Sequence, residues 1–190
     1  ARAATVTPEQ ETLLMYTSGS TGTPKGVLHT HRSIVENIKV EVEKFHMHEG
    51  TRGLVHFPIN HVAADVEIGF GLVLCGGSMV LMDRFDPAAS LAAIAKERVT
   101  MVGQVPVMFL MQFKDPSFAK MDWSHVEQFI WAGAAAPKIM VDVLSKISSA
   151  TGAMLPTGYG STEVCGFVTY TEKGDSIERL VTSAGKVAPP

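Results

Sequence analysis

The sequence of 190 residues predicts an α/β fold, a layered domain with a largely parallel sheet flanked by helices. Short apolar runs alternate along the chain with segments whose apolar residues recur at helical spacing. Several of these runs are apolar on both faces, as strands buried inside a parallel sheet are. Because 46% of the residues are hydrophobic, the chain can fill a sizeable core, and we expect a folded domain.

Seven short runs predict strands because they combine apolar and β-branched residues between turn-forming ones. In chain order, the predicted strands are residues 12–16, 26–29, 53–57, 79–82, 99–102, 128–131 and 153–155. Ligands of open parallel sheets bind at the carboxyl ends of the strands. The loops that follow these runs are therefore the first candidates for a functional site.

Three segments between the predicted strands have the pattern of helices. Residues 33–45 carry an apolar stripe and open with Ser33 and Glu36, which have the spacing of a capping box. A second helix starts at Asp86, an N-cap residue followed by proline. A third starts at Pro137 and ends at a glycine. This alternation of strands and helices completes the α/β prediction.

Charge and cysteine content exclude several classes of protein. With 16 Lys and Arg against 19 Asp and Glu, the chain lacks the basic excess of a general nucleic-acid binder. Residues 68–82 form an uncharged stretch that is shorter than the roughly 20 apolar residues of a membrane span and predicts buried core. Cys75 and Cys165 suggest neither a disulfide framework nor a zinc cluster, so we expect a cytoplasmic protein without a transmembrane segment.

Residues 16–26 read YTSGSTGTPKG and predict a loop that holds an anion. Glycines let backbone N–H groups approach a phosphate, hydroxyl groups add neutral donors, and Lys25 supplies a positive charge. The loop is not a Walker A motif, because Pro24 precedes the lysine and Gly26 follows it. On composition alone, a solvated turn is the alternative.

Two further loops have compositions that packing does not require. Residues 156–163 read PTGYGSTE, in which Tyr159 could stack on a planar base while Thr162 and Glu163 suit a phosphate and its Mg²⁺. Residues 131–137 read WAGAAAP, whose small side chains let a flat group approach the backbone or let a helix pack closely on a strand. Each segment alone could equally be an ordinary turn.

Together and in this order, the three loops resemble the adenylate-forming family: acyl-CoA synthetases, luciferases and the adenylation domains of peptide synthetases. The resemblance rests on YTSGSTGTPKGV and on YGSTE downstream. Residues 57–63, FPINHVA, are similar to the histidine-bearing stretch beside the family's acyl pocket, and residues 103–106 and 183–186 match further pieces. The resemblance covers nearly the whole chain.

The resemblance implies a role for each loop. The phosphates of ATP would be cradled by Thr17, Ser18, Gly19, Ser20, Thr21, Gly22, Thr23 and Lys25. The adenine would contact Gly133, Ala134, Ala135, Ala136, Tyr159 and Gly160, with the tyrosine ring stacked on it. The catalytic groups would be Lys25, Thr162 at the α phosphate, and Glu163 as the ligand of Mg²⁺. The acid substrate would contact His61, Val62, Trp131, Gly158 and Phe167.

By the same resemblance, the parent protein would join a hydrophobic carboxylate to ATP, releasing pyrophosphate, and then form the CoA thioester. Its partners would be the carboxylate, ATP with Mg²⁺, and CoA, with no nucleic acid. Family members continue to an aspartate that binds the ribose and to a C-terminal lid domain with a lysine. We therefore expect residues 1–190 to be a partial AMP-binding domain, the central part of the large N-terminal domain, with little ligase activity alone.

Two alternatives stay open. An amino-acid-activating domain has an aspartate near the position of His61 to pair with the substrate ammonium; the sequence INH disfavours this, although Asp65 and Glu67 follow closely. Phe167 and a methionine set favour a deformable apolar pocket instead. The methionines of that set are Met101, Met108 and Met111. The second alternative is a nucleotide-binding protein without chemistry.

Two other predictions concern residues outside the loops. Cys165 follows the second loop closely, but no histidine is near it in sequence, so we interpret it as a small packed residue. Glu41, Glu43 and Lys44 are interpreted as a solvated helix face.

Overall fold

Nine strands and six α-helices alternate along the chain in a computed structural model that describes residues 5–18 and 22–188. The strands are β1 (Glu11–Thr17), β2 (Lys25–Thr30), β3 (Arg52–Val55), β4 (Ser78–Leu81), β5 (Met101–Gln104), β6 (Gln128–Trp131), β7 (Gly158–Ser161), β8 (Gly166–Tyr170) and β9 (Lys186–Val187). The helices are α1 (His31–Lys44), α2 (Gly71–Cys75), α3 (Pro87–Lys96), α4 (Pro106–Phe113), α5 (Lys138–Thr151) and α6 (Ile177–Thr182). A π-helix, Ala63–Phe70, runs directly into α2.

The central sheet has four parallel strands in the order β4-β3-β5-β6, which confirms the predicted α/β class. From β3 the chain crosses to β4 on one side and then returns to place β5 on the other side of β3. The strand order therefore reverses between β3 and β5. Such a switch point leaves a crevice at the carboxyl ends of the two strands, where ligands of open sheets bind.

Helices cover both faces of this sheet. Leu54, Val102 and Phe129 pack on one face against α3, α4 and α5. On the other face, Val55 and Ile130 pack against the π-helix, α2 and the residues after α1. Since successive side chains of a strand point to opposite faces, each strand supplies both cores.

The helix boundaries follow their capping residues. Asp86 is the N-cap of α3, where its carboxylate accepts a hydrogen bond of 2.8 Å from a backbone N–H three residues later, as predicted. Gly152 ends α5 with a left-handed φ of 82°. The predicted cap of the first helix was wrong: Thr30 is the N-cap and forms the capping box with Ser33, so Glu36 plays no part in it.

Some predicted strands lie outside the parallel sheet. β1 and β2 form a separate antiparallel pair in which Thr17 pairs with Lys25. The physical reason is the short connection, because parallel neighbours need a crossover of about a dozen residues or more. The predicted strand 153–155 is reduced to one bridge between Met154 and Gln128. The loop predicted over residues 156–163 instead contains β7, which pairs with β8 in a three-stranded antiparallel sheet.

The uncharged stretch 68–82 is buried on one side only, which corrects its interpretation as core. Ile68 and Leu72 are buried, whereas Val73 and Leu81 are more than 60% exposed. The reason is position: β4 is an edge strand, and α2 packs on the sheet with a single face. Within the described residues, no helix is both long and apolar enough to cross a membrane.

Candidate functional site

A cavity of about 600 Å³ opens at the carboxyl ends of the central strands. Phe57 borders it just after β3, Gly103 and Val105 at the end of β5, and Gly133 just after β6. This is the crevice expected at the switch point between β3 and β5. The fold therefore gathers three segments that are distant in sequence around one space.

Most of the cavity wall is apolar. It is formed by aromatic, methionine and branched aliphatic side chains, among them Phe45, Met47, Ile68, Met101, Met108 and Ile130. Two of the three methionines predicted for an apolar pocket are thus in the wall. Met111 is not, because it lies on an exposed part of α4. Such a wall suits an apolar ligand.

One end of the cavity is polar. Thr17, at the end of β1, lies there with Ser161, Thr162 and Glu163. His29, on β2, fixes this arrangement with a hydrogen bond of 2.7 Å from its Nε2 to the carbonyl oxygen of Thr162. The first and second loops predicted from sequence therefore meet at the same end of the cavity.

Of the first loop, the structure describes five of the predicted residues. Gly19, Ser20 and Thr21 lie outside the described residues. The remaining members besides Thr17 are exposed and do not border the cavity: Ser18, Gly22, Thr23 and Lys25.

Lys25 is nevertheless electrostatically linked to the cavity end. The Glu163 carboxylate accepts hydrogen bonds from the backbone N–H of Glu163 and from the Ser161 hydroxyl, which hold its pKa below the usual range. The positive charge of Lys25 lowers this pKa further. Glu163 is exposed, so it offers an ionised carboxylate at the polar end.

The residues predicted to contact adenine lie in different environments. Gly133 borders the cavity and has a φ of 82°, the left-handed conformation that favours glycine. Ala134 and Ala135 are exposed next to it, whereas Ala136 is buried in the core. Gly160 borders the cavity, and the preceding Tyr159 is 58% exposed.

The predicted acid-binding residues also separate into two groups. His61, Val62 and Phe167 border the cavity. Trp131 does not: it is 1% exposed in the core on the opposite face of the sheet, since Ile130 takes the cavity side. Gly158 is also a packing position, because a Cβ there would lie 2.0 Å from the carbonyl oxygen of Thr169.

His61 has a defined orientation. Its Nδ1 accepts a hydrogen bond of 3.1 Å from the backbone N–H of Ala63, and its ring stacks near that of Phe57. A neutral imidazole that accepts at Nδ1 carries its proton on Nε2. His61 is exposed at the cavity wall, so this N–H is available to a ligand.

Glu41 and the partly buried Glu67 form a pair of carboxyl groups that the sequence analysis did not bring together. Glu41 is fully buried, which corrects its assignment to a solvated face; Glu43 is exposed as predicted. The Oε1 atom of Glu41 accepts hydrogen bonds from the backbone N–H of Phe167 and from Asn37 Nδ2, and its Oε2 has no partner within the described residues. Helical spacing was the available signal, because Glu41 follows the buried Ile34 and Ile38 on the apolar stripe.

Burial dominates the electrostatics of this pair. Burial raises the pKa of Glu67 to about 7, and burial together with the charge of Glu67 raises the pKa of Glu41 well above its usual range. Burial also raises the pKa of Cys165 to about 12, which agrees with its interpretation as a packed residue. Glu67 borders the cavity, so one member of the pair faces the ligand space.

His56 makes the stability of the fold sensitive to acid. It is 2% exposed between Phe57 and Phe85, neither ring nitrogen has a partner within the described residues, and burial lowers its pKa from 6.5 to about 4. Between pH 6.5 and 4, His56 binds a proton in the unfolded chain but stays neutral in the folded chain. We expect the free energy of unfolding to fall by up to about 3 kcal/mol between pH 6.5 and 4 from this residue.

Urea unfolding at a series of pH values measures this loss. In the variant His56→Leu, the free energy of unfolding should depend less on pH over that range. In His31→Gln, at the start of α1, it should depend on pH as in the parent chain. Identical profiles for His56→Leu and the parent chain would contradict the prediction.

Comparison with known proteins identifies the family of this chain. The family model of AMP-binding enzymes matches residues 1–190. Feruloyl-CoA synthase from Amycolatopsis sp is 35% identical over 168 residues, covering 88% of this chain and 33% of that protein. Long-chain-fatty-acid–CoA ligase FadD13 from Mycobacterium tuberculosis is 34% identical over 173 residues, covering 91% of this chain and 33% of that protein.

Solved structures of related proteins have a similar fold. The inhibitor-bound N-terminal domain of FACL13 from Mycobacterium tuberculosis has a TM-score of 0.84 and 31% identity, over 94% of this chain and 44% of that one. O-succinylbenzoate coenzyme A synthetase from Bacillus subtilis, in complex with AMP, has a TM-score of 0.81 and 26% identity, over 96% of this chain and 36% of that one. The chain spans about a third of the length of the curated relatives named above. By its sequence, its fold and its loops, it belongs to the family of AMP-binding enzymes.

Proposed function

We propose that this chain is the ATP- and acid-binding part of an acyl-CoA ligase. In the reaction, the oxygen of a hydrophobic carboxylate attacks the α phosphate of ATP and pyrophosphate leaves; the thiol of CoA then attacks the acyl carbon of the acyl-adenylate, and AMP leaves. One observation carries the proposal: an apolar cavity ends at a polar cluster made of Thr17, Thr162 and Glu163. An acyl body fits the first part, and a phosphate fits the second.

The reaction needs positive charge and hydrogen-bond donors, because two anions must approach each other. Thr17 and Thr162 have hydroxyl groups at the cavity end, and we propose that the latter contacts the α phosphate. Lys25 would pair with the β and γ phosphates, together with the other residues of the first loop. Of these, the hydroxyl side chains Ser18, Ser20, Thr21 and Thr23 and the glycines Gly19 and Gly22 would contribute donors.

The residues present fit a magnesium ion bound together with a nucleotide. Glu163 is exposed at the cavity end, its low pKa keeps it ionised, and carboxylate oxygens are ligands that Mg²⁺ prefers. Within the described residues no group of three or more His, Cys, Asp or Glu could hold a metal by itself. A site with one carboxylate, completed by substrate phosphates and water, is typical of Mg²⁺. When bound, the ion would neutralise charge on the phosphates.

The adenine would lie beside Gly133 and Gly160, near the exposed ring of Tyr159. Ala134 and Ala135 could contact it from the surface of the third loop, whereas the buried Ala136 would support that loop from below. The acid would lie along Val62 and Phe167.

His61 would separate the acid from the nucleotide, donating from Nε2 to an oxygen of either one. The substrates named for the relatives, ferulate and long-chain fatty acids, are hydrophobic carboxylates and suit the same kind of wall. Because ATP and CoA are cytoplasmic metabolites, we also propose a cytoplasmic location.

Calorimetric titration of the 190-residue chain with MgATP tests the nucleotide half of the proposal. We expect weak binding, since no residue of the described part is assigned to the ribose. Lys25→Ala should reduce the affinity about tenfold, as expected for the loss of a charged hydrogen bond. Glu163→Gln should abolish the difference between titrations with and without Mg²⁺.

Lys39→Ala is the matched control, because Lys39 is exposed on α1 and pairs with Glu36. It should leave the affinity for MgATP unchanged. For the acid half, ATP–pyrophosphate exchange by a longer protein that contains this chain should depend on added hydrophobic carboxylates. Binding of MgATP without any acid-dependent exchange would favour the non-catalytic nucleotide-binding alternative.

A further inference from the structure

Among the described residues, the apolar part of the cavity wall contains a carboxyl group without a hydrogen bond or an ion pair. Glu67 lies on the π-helix and borders the cavity beside Ile68. Within the described part of the chain, its side chain has no hydrogen bond and no ion pair, and its ionisable neighbour is a second carboxyl group, that of Glu41. A polar group in an apolar wall costs free energy unless a ligand satisfies it. Glu67 is therefore a candidate for recognition of the substrate.

The side chain is held against a second carboxyl group. A Cβ on Gly166 would lie 2.4 Å from Glu41 Oε1 and 3.1 Å from Glu67 Cγ, so both glutamates pack on this glycine. Glu41 is fixed by Asn37 and by the backbone of Phe167, whose ring borders the cavity. The hydrogen bonds of α1 and β8 thus position the wall around Glu67. Burial raises the pKa of Glu67 to about 7, above the usual range of a carboxyl group.

A second polar group with a free acceptor borders the same cavity. Gln104 is 3% exposed at the end of β5. Its Nε2 donates to Gln112 Oε1 at 2.8 Å, whereas its Oε1 has no partner within the described residues. The Gln104 Oε1 atom is fully buried and does not reach the cavity, whereas Glu67, on the π-helix, is only partly buried in the largely apolar wall.

We propose that the substrate acid carries a hydroxyl group on its apolar body and that Glu67 binds this hydroxyl in the cavity wall. The inference rests on the proposed acid activation, since the same cavity would hold the acid. A hydroxyl group can donate to the carboxylate and accept from the protonated acid, so it matches both states of the glutamate. An ammonium group can only donate, and its charge would lose water in an apolar wall. An unsubstituted hydrocarbon leaves the carboxyl group unpaired.

Equilibrium binding of three matched acids to the 190-residue chain tests the inference. The acids are straight-chain carboxylates of equal length that end in a hydroxyl, a methyl or an ammonium group, each over a series of lengths. At the length that reaches Glu67, the hydroxy acid should bind about tenfold more tightly than the methyl acid.

Variants then assign the preference to one side chain. Glu67→Leu should abolish the preference for the hydroxy acid, and Glu67→Gln should retain most of it, because an amide also bonds to a hydroxyl. Asp65→Asn is the matched control: this residue lies on the same π-helix but does not border the cavity, so the preference should persist.

Several results would overturn the inference. These are a preference for the methyl or the ammonium acid in the parent chain, an equal preference in Glu67→Leu, or no binding of any acid. The test is independent of the proposed function. If ATP–pyrophosphate exchange responds to methyl acids alone, acid activation stands and the hydroxyl inference fails. If hydroxy acids bind through Glu67 without exchange, the cavity assignment stands and acid activation fails.

Discussion

Replacing Gly158 with alanine is expected to lower the free energy of unfolding by more than about 3 kcal/mol. The added Cβ would lie 2.0 Å from the carbonyl oxygen of Thr169 and 2.7 Å from Cδ1 of Phe167. The first of these is backbone in the neighbouring strand β8, so the clash can be relieved only by separating β7 from β8. Urea unfolding followed by circular dichroism measures the loss.

Gly152→Ala is the control for this prediction. Gly152 has a φ of 82°, which alanine tolerates poorly, but no atom would lie within 4 Å of its Cβ. The control should therefore lose about 1 kcal/mol from backbone strain alone. Equal losses in the two variants would contradict a steric role for Gly158. Separation of β7 from β8 would also displace Ser161, so MgATP binding should weaken in Gly158→Ala only.

Trp131→Ala is expected to lower the free energy of unfolding by about 4 kcal/mol. Its side chain is 1% exposed within the core cluster that also contains Phe129 and Met140, and truncation leaves a large cavity there. The hydrogen bond of 2.7 Å from Thr157 Oγ1 to the Trp131 carbonyl oxygen involves only the backbone of residue 131 and should remain. Chemical unfolding gives the stability change.

Acid binding separates a packing role of Trp131 from a role in the site. Trp131→Phe should lose less stability than the alanine variant, and its affinity for hydrophobic acids should equal that of the parent chain. Ile130→Ala, on the cavity side of the same strand, should instead change acid affinity. A folded Trp131→Phe chain that has lost acid binding would assign the tryptophan to the substrate after all.

Local signals in the sequence predicted the elements around the site well. The strand predicted over residues 128–131 is β6, and the N-cap at Asp86 forms as expected. These features depend on apolar runs and on side chains that bond within one helical turn, so a few neighbouring residues determine them. The order of the three loops likewise indicated Thr17, Thr162 and Glu163, which the fold gathers at one end of the cavity.

Contacts between distant residues decided the rest. Glu41 was expected on a solvated face, yet its partner Phe167 lies 126 residues further along the chain. The meeting of the first two loops depends on His29 and Thr162, which are 133 residues apart. An apolar run also does not specify which strand it pairs with or in which direction, so the antiparallel pairing of β1 with β2 was not predicted.

The sequence by itself determined the α/β class, the family and the three loops, because periodicity and motif order are properties of consecutive residues. Only the tertiary structure decided that Ile130 faces the cavity while Trp131 faces the core, and that Glu67 borders the cavity next to Glu41. The physical reason is that a side chain's environment consists of whatever the fold packs against it. In this chain those neighbours come from helices and strands far away in sequence.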